Sequence, residues 1–250
     1  MLDFLTLPER SAKPRDVGIT HVLDKGLGPA QITDLIVTAG SYIDIVKLGW
    51  GTACVTPRLA DKVAQYNDAG IPVCFGGTLF ELALKQGRLD DLIRLAAELG
   101  MEHIEISDGT VPMPEEDKLA LIRRLARDFK VLSEVGSKDA ELVLAPYRWV
   151  DAIRKEIDAG AWKVVTEGRE SGTVGMYQPN GQVKEGLLEE IVQAVSSERL
   201  LFEAPNKSQQ SWFITHFGAD VNLGNIPPDD VISLETLRLG LRSDTLLHFH

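Results

Sequence analysis

Residues 81–107, from Glu81 to Ser107, read ELALKQGRLDDLIRLAAELGMEHIEIS, and two periods meet inside them. Leu82, Leu89, Leu92, Ile93 and Ala96 recur at helical spacing with charges opposite. That spacing predicts one amphipathic helix over Glu81–Leu99, stopped by Gly100. The next run, His103–Ser107, is short and strand-like. A helix followed at once by such a strand is half of a βα repeat.

The rest of the chain repeats it. Working outward, the strand-like runs are Ile19–Asp24, Ile43–Leu48, Ile71–Phe75, Lys130–Val135, Lys163–Glu167, Leu200–Glu203 and Asp220–Leu223, most followed by Gly or Pro. Helical patterns over Glu115–Asp128, Trp149–Ala159 and Glu185–Ser197 each precede a strand, the first of them entered through Pro112 and Pro114. Eight units at intervals of roughly 20–35 residues predict an α/β chain of the (β/α)8 TIM-barrel class, a single domain over residues 1–250. An open doubly wound sheet would need a glycine-rich fingerprint after its first strand. Lys25-Gly26-Leu27-Gly28-Pro29 supplies only two of the three glycines.

Composition narrows the function. The 250 residues are 44% hydrophobic and 25% charged, with a net charge of -11, which fits a globular protein and carries no basic stripe for nucleic acid. The acidic balance also disfavours docking on an anionic membrane. No apolar run nears the ~20 residues of a membrane span, and Met1–Arg15 lacks the apolar core of a signal peptide. The expectation is a cytoplasmic protein with two reduced thiols, Cys54 and Cys74. Homo-oligomerisation is left open.

Side chains two apart on a strand share a face, and six of the eight strands close on a charged residue: Asp24, Lys47, Glu105, Glu134, Glu167 and Glu203. Asn222 ends the last run in the same way. Acidic residues are depleted from strands and costly to bury unpaired. Outward-facing caps or a buried ion-pair network would account for them. So would an active site, since barrel enzymes carry their chemistry at this end of the strands. Compensation for the negative charge would come from a divalent ion, for which carboxylates favour Mg2+, or from Lys25, Lys47, Lys138, Arg169 and Lys207, each of which follows or ends a strand. The loop Glu167-Gly168-Arg169-Glu170-Ser171-Gly172-Thr173 offers backbone and hydroxyl donors with a guanidinium, which suits phosphate or sulfonate oxygens. Thr78 with Glu81 reads as a helix-capping pair. The five histidines show no ligand spacing.

These strand-end segments resemble a known family, the phosphosulfolactate synthases of coenzyme M biosynthesis. The resemblance rests on Val22-Leu23-Asp24-Lys25-Gly26-Leu27-Gly28, Val46-Lys47-Leu48-Gly49-Trp50-Gly51-Thr52, Gly76-Gly77-Thr78-Leu79-Phe80-Glu81, Glu105-Ile106-Ser107-Asp108-Gly109, Glu134-Val135-Gly136, the loop from Glu167, Phe202-Glu203-Ala204-Pro205 with Lys207, and Val221-Asn222-Leu223. It implies a Mg2+-dependent lyase that adds sulfite to phosphoenolpyruvate, giving (2R)-phospho-3-sulfolactate. It also places the family's lysine after strand 5 at Lys138, and with the strand-end charges it suggests the following roles. Lys138 would be the general acid, with Lys47 and Asp24 as further catalytic groups. Lys25, Arg169, Ser171, Gly172, Lys207 and Asn222 would hold the anionic substrate. Glu105, Glu134 and Glu167 would hold the metal. Where the family usually has Gly-Lys-Lys, this chain has Gly136-Ser137-Lys138. Another barrel lyase or aldolase on a phosphorylated carboxylate, and a non-catalytic stress-associated relative, are the alternatives.

Overall fold

The computed structural model describes residues 4–136, 145–169 and 171–250. Its strands are β1 (Thr20–Asp24), β2 (Ile45–Leu48), β3 (Val73–Phe75), β4 (His103–Ile106), β5 (Lys130–Val135), β6 (Lys163–Thr166), β7 (Leu200–Glu203) and β8 (Leu223–Ile226). The helices are α1 (Pro29–Ala39), α2 (Leu59–Asp68), α3 (Gly77–Lys85), α4 (Leu89–Glu98), α5 (Glu115–Leu125), α6 (Pro146–Ala159), α7 (Glu185–Ala194), α8 (Lys207–Phe217), α9 (Val231–Arg238) and α10 (Leu246–Phe249).

All strand pairs are parallel, in the order β3-β2-β1-β8-β7-β6-β5-β4. β3 and β4, the ends of that order, lie side by side and close the ring by packing. Helices alternate with strands around it. This is the expected (β/α)8 barrel.

Two sequence expectations change. The single helix over Glu81–Leu99 is two helices, α3 and α4, parted at Gly87, whose φ of +66° a side chain would strain. The break resets the helical phase, so Leu92 and Ala96 are buried while Leu82 is 44% exposed. The last strand is not Asp220–Leu223 but begins at Leu223. Gly224 and Asn225 are poor strand formers, yet pairing with β1 and β7 on either side carries the strand through them as far as Ile226, where Pro227 ends it.

Parallel strands covered by helices are apolar on both faces. Outside the ring, Val22, Val46, Ile104, Val164 and Phe202 join the helices in one large core. Inside it, Ile19, Ile45, Cys74, Leu132, Val165 and Leu201 fill a separate layer. Each buried aliphatic side chain there contributes about 1.5–3 kcal/mol. Two residues further along their strands stand Lys47, Glu134, Glu167 and Glu203, joined by Glu105 two residues beyond His103. The apolar layer is thus the floor on which a ring of charges rests.

Candidate active site

The charges line a cavity of about 260 Å³ at the C-terminal mouth of the barrel. Pockets for drug-sized ligands start at about 300 Å³, so this one suits a metabolite of a few carbons. Among the described residues its wall carries four carboxylates, Glu105, Glu134, Glu167 and Glu203, and two cations, Lys47 and Arg169.

Lys47 is the hub. Its Nζ lies 3.1 Å from Glu105 Oε2 and 3.2 Å from Glu203 Oε1. Burial works against its charge, but Glu105, Glu203 and Glu134 outweigh that and hold the ammonium above the ordinary lysine range. Burial pushes the Glu105 carboxyl up, with Lys47 opposing. Glu105 Oε1 accepts the Gly77 N–H at the start of α3, which stitches the seam between β3 and β4. The approach demands glycine, because a Cβ at position 77 would lie 2.5 Å from Ser107 Cβ.

The other carboxylates are oriented in turn. Glu203 Oε2 accepts the Gly168 N–H at 2.9 Å, and Glu167 Oε1 accepts the Arg169 N–H at 2.7 Å. Ser107 Oγ lies 2.6 Å from Glu81 Oε1 and 3.1 Å from Glu134 Oε1. Glu81 Oε2 also accepts the N–H groups of Thr110 and Val111 and so fixes the loop after β4. The capping-pair reading of Thr78 and Glu81 therefore fails: α3 is capped from Gly76, and Glu81 turns inward to the site.

Of the residues singled out from sequence, Lys47, Glu105, Glu134, Glu167 and Arg169 meet in this cavity. Others lie elsewhere. Asp24 is fully buried but on the outer face of β1, where Lys62 Nζ (2.7 Å), Tyr66 Oη (3.0 Å) and the N–H groups of Gly26 and Leu27 surround it. It braces the loop after β1 and does not line the cavity. Asn222 precedes β8 and sits at the opposite end of the barrel. There its Oδ1 accepts the Ile19 N–H, and its Nδ2 donates to the carbonyls of Glu198 and Leu200. The shifted last strand is the cause. Lys25 is exposed, 4.9 Å above the ring of Trp50, which itself lines the rim. Ser171 bonds Thr173, the Gly172 carbonyl accepts Gln209 Nε2, and Lys207 pairs with Asp244 at 2.7 Å. None of these last four lines the cavity. Lys138 lies outside the described residues.

Glu105, Glu134 and Glu167 line the same cavity. Among the described residues no three His, Cys, Asp or Glu side chains form a group able to hold an ion, and both oxygens of Glu105 face Gly77 N–H and Lys47. Sequence reasoning placed Glu203 among the strand-end charges but gave it no role, and it missed Glu81 and Ser107 as supports of Glu134, and Asn225 as a wall residue. Glu203 was legible from its strand-end position. Asn225 was passed over because the last strand was placed at Asp220–Leu223, which put Asn222 and not Asn225 at the strand end.

A (β/α)8 barrel with a small, charged cavity at the C-terminal ends of its strands defines a class, that of barrel enzymes acting on small polar metabolites. Residues 8–244 match the family model described as (2R)-phospho-3-sulfolactate synthase (ComA). The chain is 46% identical over 249 residues to the phosphosulfolactate synthase of Bacillus subtilis (strain 168), covering 98% of this chain and 99% of that one. It is 45% identical over 250 residues to the phosphosulfolactate synthase of Methanothermobacter thermautotrophicus, covering 98% and 96%. Among solved structures, the 3-hexulose-6-phosphate synthase of Salmonella typhimurium superposes with a TM-score of 0.58 at 12% identity, over 89% of this chain and 99% of that one, a likeness of fold. The chain belongs to the phosphosulfolactate synthase family.

Proposed function

We propose that this chain catalyses the addition of sulfite to phosphoenolpyruvate to give (2R)-phospho-3-sulfolactate. One observation carries the reading. The family match runs over residues 8–244, and the segments on which the sequence resemblance rests supply Lys47, Gly77, Glu105, Glu134, Glu167, Arg169 and Glu203 to a single cavity wall.

In the reaction the sulfur lone pair of sulfite forms the C–S bond at the methylene carbon. The C=C electron pair moves into the carboxylate, giving an enediolate-like dianion. A proton delivered to the phosphate-bearing carbon completes the product. Preorganised positive charge lowers the barrier to such charge build-up, by about 3–4 kcal/mol for one well-placed donor. Lys47 is fixed by two carboxylates before substrate arrives and needs no reorganisation to act. Arg169 at the rim is suited to phosphate or sulfonate oxygens. Lys138 is assigned as the proton donor on the resemblance of its segment to the family.

The donor set fits Mg2+ in the mode where the ion takes one or two carboxylates and keeps several waters. Glu134 and Glu167, on adjoining strands and both lining the cavity, would hold it. When bound, such an ion supplies further positive charge for the enediolate oxygens. Among the described residues no helix is long and apolar enough to cross a membrane. The product would feed coenzyme M biosynthesis, the role the family resemblance implies.

The test is product analysis after incubating the protein with phosphoenolpyruvate and sulfite, with and without Mg2+. Phosphosulfolactate is expected from the wild type. Its absence under both conditions, from folded protein, would refute the assignment.

A further inference from the structure

The N-terminal end of the barrel, opposite the active site, carries a second charged cavity. It is open, holds about 480 Å³, and has Lys130, Lys163, Arg199, Trp162, Asp16 and Glu198 in its wall. Lys130 opens β5, Lys163 opens β6, and Arg199 stands just before β7. Three consecutive strands thus begin on or just behind a cation, in a chain whose net charge is -11.

Local contacts draw the three together. Lys130 Nζ lies 5.1 Å and Lys163 Nζ 4.8 Å from the centroid of the Trp162 ring. Arg199 Nη2 donates at 2.7 Å to the carbonyl of Ala161, the residue before Trp162. Lys163 Nζ donates at 2.6 Å to the carbonyl of Asp16 and at 2.5 Å to that of Glu198, the residue before Arg199. Among the described residues none of the three cations forms an ion pair. The carboxylates of Asp16 and Glu198 share the wall, but both residues are exposed and neither pairs with a cation there.

Donors are left over as well as charge. Among the described residues the Lys130 ammonium makes no hydrogen bond, and the Nε–H of Arg199 has no acceptor. Lys163 spends two of its three N–H groups on carbonyls. Burial pushes the Lys163 ammonium down to about 8, and Arg199 and Lys130 push the same way against Asp16 and Glu198. Like charges gathered in this way call for an anion that can bridge them. A tetrahedral dianion brings two charges and acceptor oxygens in several directions, so it can take N–H groups from all three side chains at once.

We propose that this cavity binds a phosphate group, with Lys130, Lys163 and Arg199 as its ligands. The site lies at the opposite end of the barrel from the cavity of the proposed reaction and stands independently of it.

Inorganic phosphate is titrated into the whole protein by calorimetry at pH 7, with NaCl holding ionic strength constant and melting temperature as the check on folding. Arg169→Met removes the guanidinium at the active-site mouth, so the phosphate binding that R169M retains is the binding to be assigned. In that background Lys130→Met and Arg199→Met should each weaken phosphate about 10-fold, the loss of one hydrogen bond to a charged group, while Lys130→Arg stays close to the parent. Should R199M fail to fold, K130M decides, because its ammonium holds no other group in place. Unchanged affinity in K130M, or an R169M protein that binds no phosphate, overturns the proposal. A phosphate monoester, glycerol 3-phosphate, is titrated alongside. Tighter binding than phosphate, lost in K130M, identifies a phosphorylated metabolite as the ligand, and equal or weaker binding identifies the free ion.

Discussion

Replacing Lys47 by methionine removes the one buried cation between Glu105 and Glu203 while preserving most of the side-chain volume. At 3.1 and 3.2 Å the attraction to each carboxylate is about 5 kcal/mol at an effective dielectric of 20. Most of that only offsets the desolvation of the three groups. The net cost of K47M is therefore the cost of stranding buried carboxylates, about 3–5 kcal/mol. In a 250-residue chain this lowers Tm by roughly 6–20 °C. The loss should depend on pH. Glu105 is already raised by burial from its ordinary value of 4.5, and Lys47 opposes that rise. Without Lys47 the folded-state pKa climbs further. The folded variant then binds a proton that the unfolded chain releases above about 4.5, so stability is retained at acid pH and lost as pH rises through the folded value. Urea denaturation of wild type and K47M at pH 5 and pH 8 should show the larger gap at pH 8. The double variant K47M/E105Q should recover part of the loss, since it removes one stranded charge. A single variant within about 0.5 kcal/mol of wild type at pH 8, or a gap equal at both pH values, would refute this account of the site.

D24N strands the buried ammonium of Lys62 and should cost about 3–5 kcal/mol in denaturation with kcat retained at low temperature; a large fall in kcat with unchanged stability would return Asp24 to the catalytic set. N222A removes three hydrogen bonds at the closed end of the barrel and should lower Tm without changing KM for phosphoenolpyruvate. His103 is held neutral by burial and by Lys130, its pKa lowered from 6.5 to about 3. The unfolded chain therefore binds the extra proton in that window, and stability falls by up to about 1.4 kcal/mol per pH unit as pH drops through it. Both ring nitrogens of His103 lack partners and the ring packs edge-on against Trp162, so H103F should flatten the acid limb of the stability curve; an unchanged slope between pH 6 and 4 would count against the buried neutral imidazole.

The amino-acid sequence by itself determined the alternation of helix and strand, because periods of 3.6 and 2 are written in the spacing of apolar residues. It also determined that charges gather at strand ends, and the ordered motifs around them carried the family resemblance. It did not decide which face of a strand looks into the barrel. A period of two says that Val22 and Asp24 share a face, but strands that are apolar on both sides carry no mark of inside and outside. Closure of the ring sent Asp24 outward to Lys62 and Tyr66, and sent Lys47, Glu105, Glu134, Glu167 and Glu203 inward. The register of β8 was likewise settled by its neighbours. Pairing with β1 and β7 overrode the turn-like Gly224-Asn225, moved Asn222 to the far end and brought Asn225 to the cavity. Local propensity is worth about a kcal/mol per residue or less, and two flanking strands outweigh it.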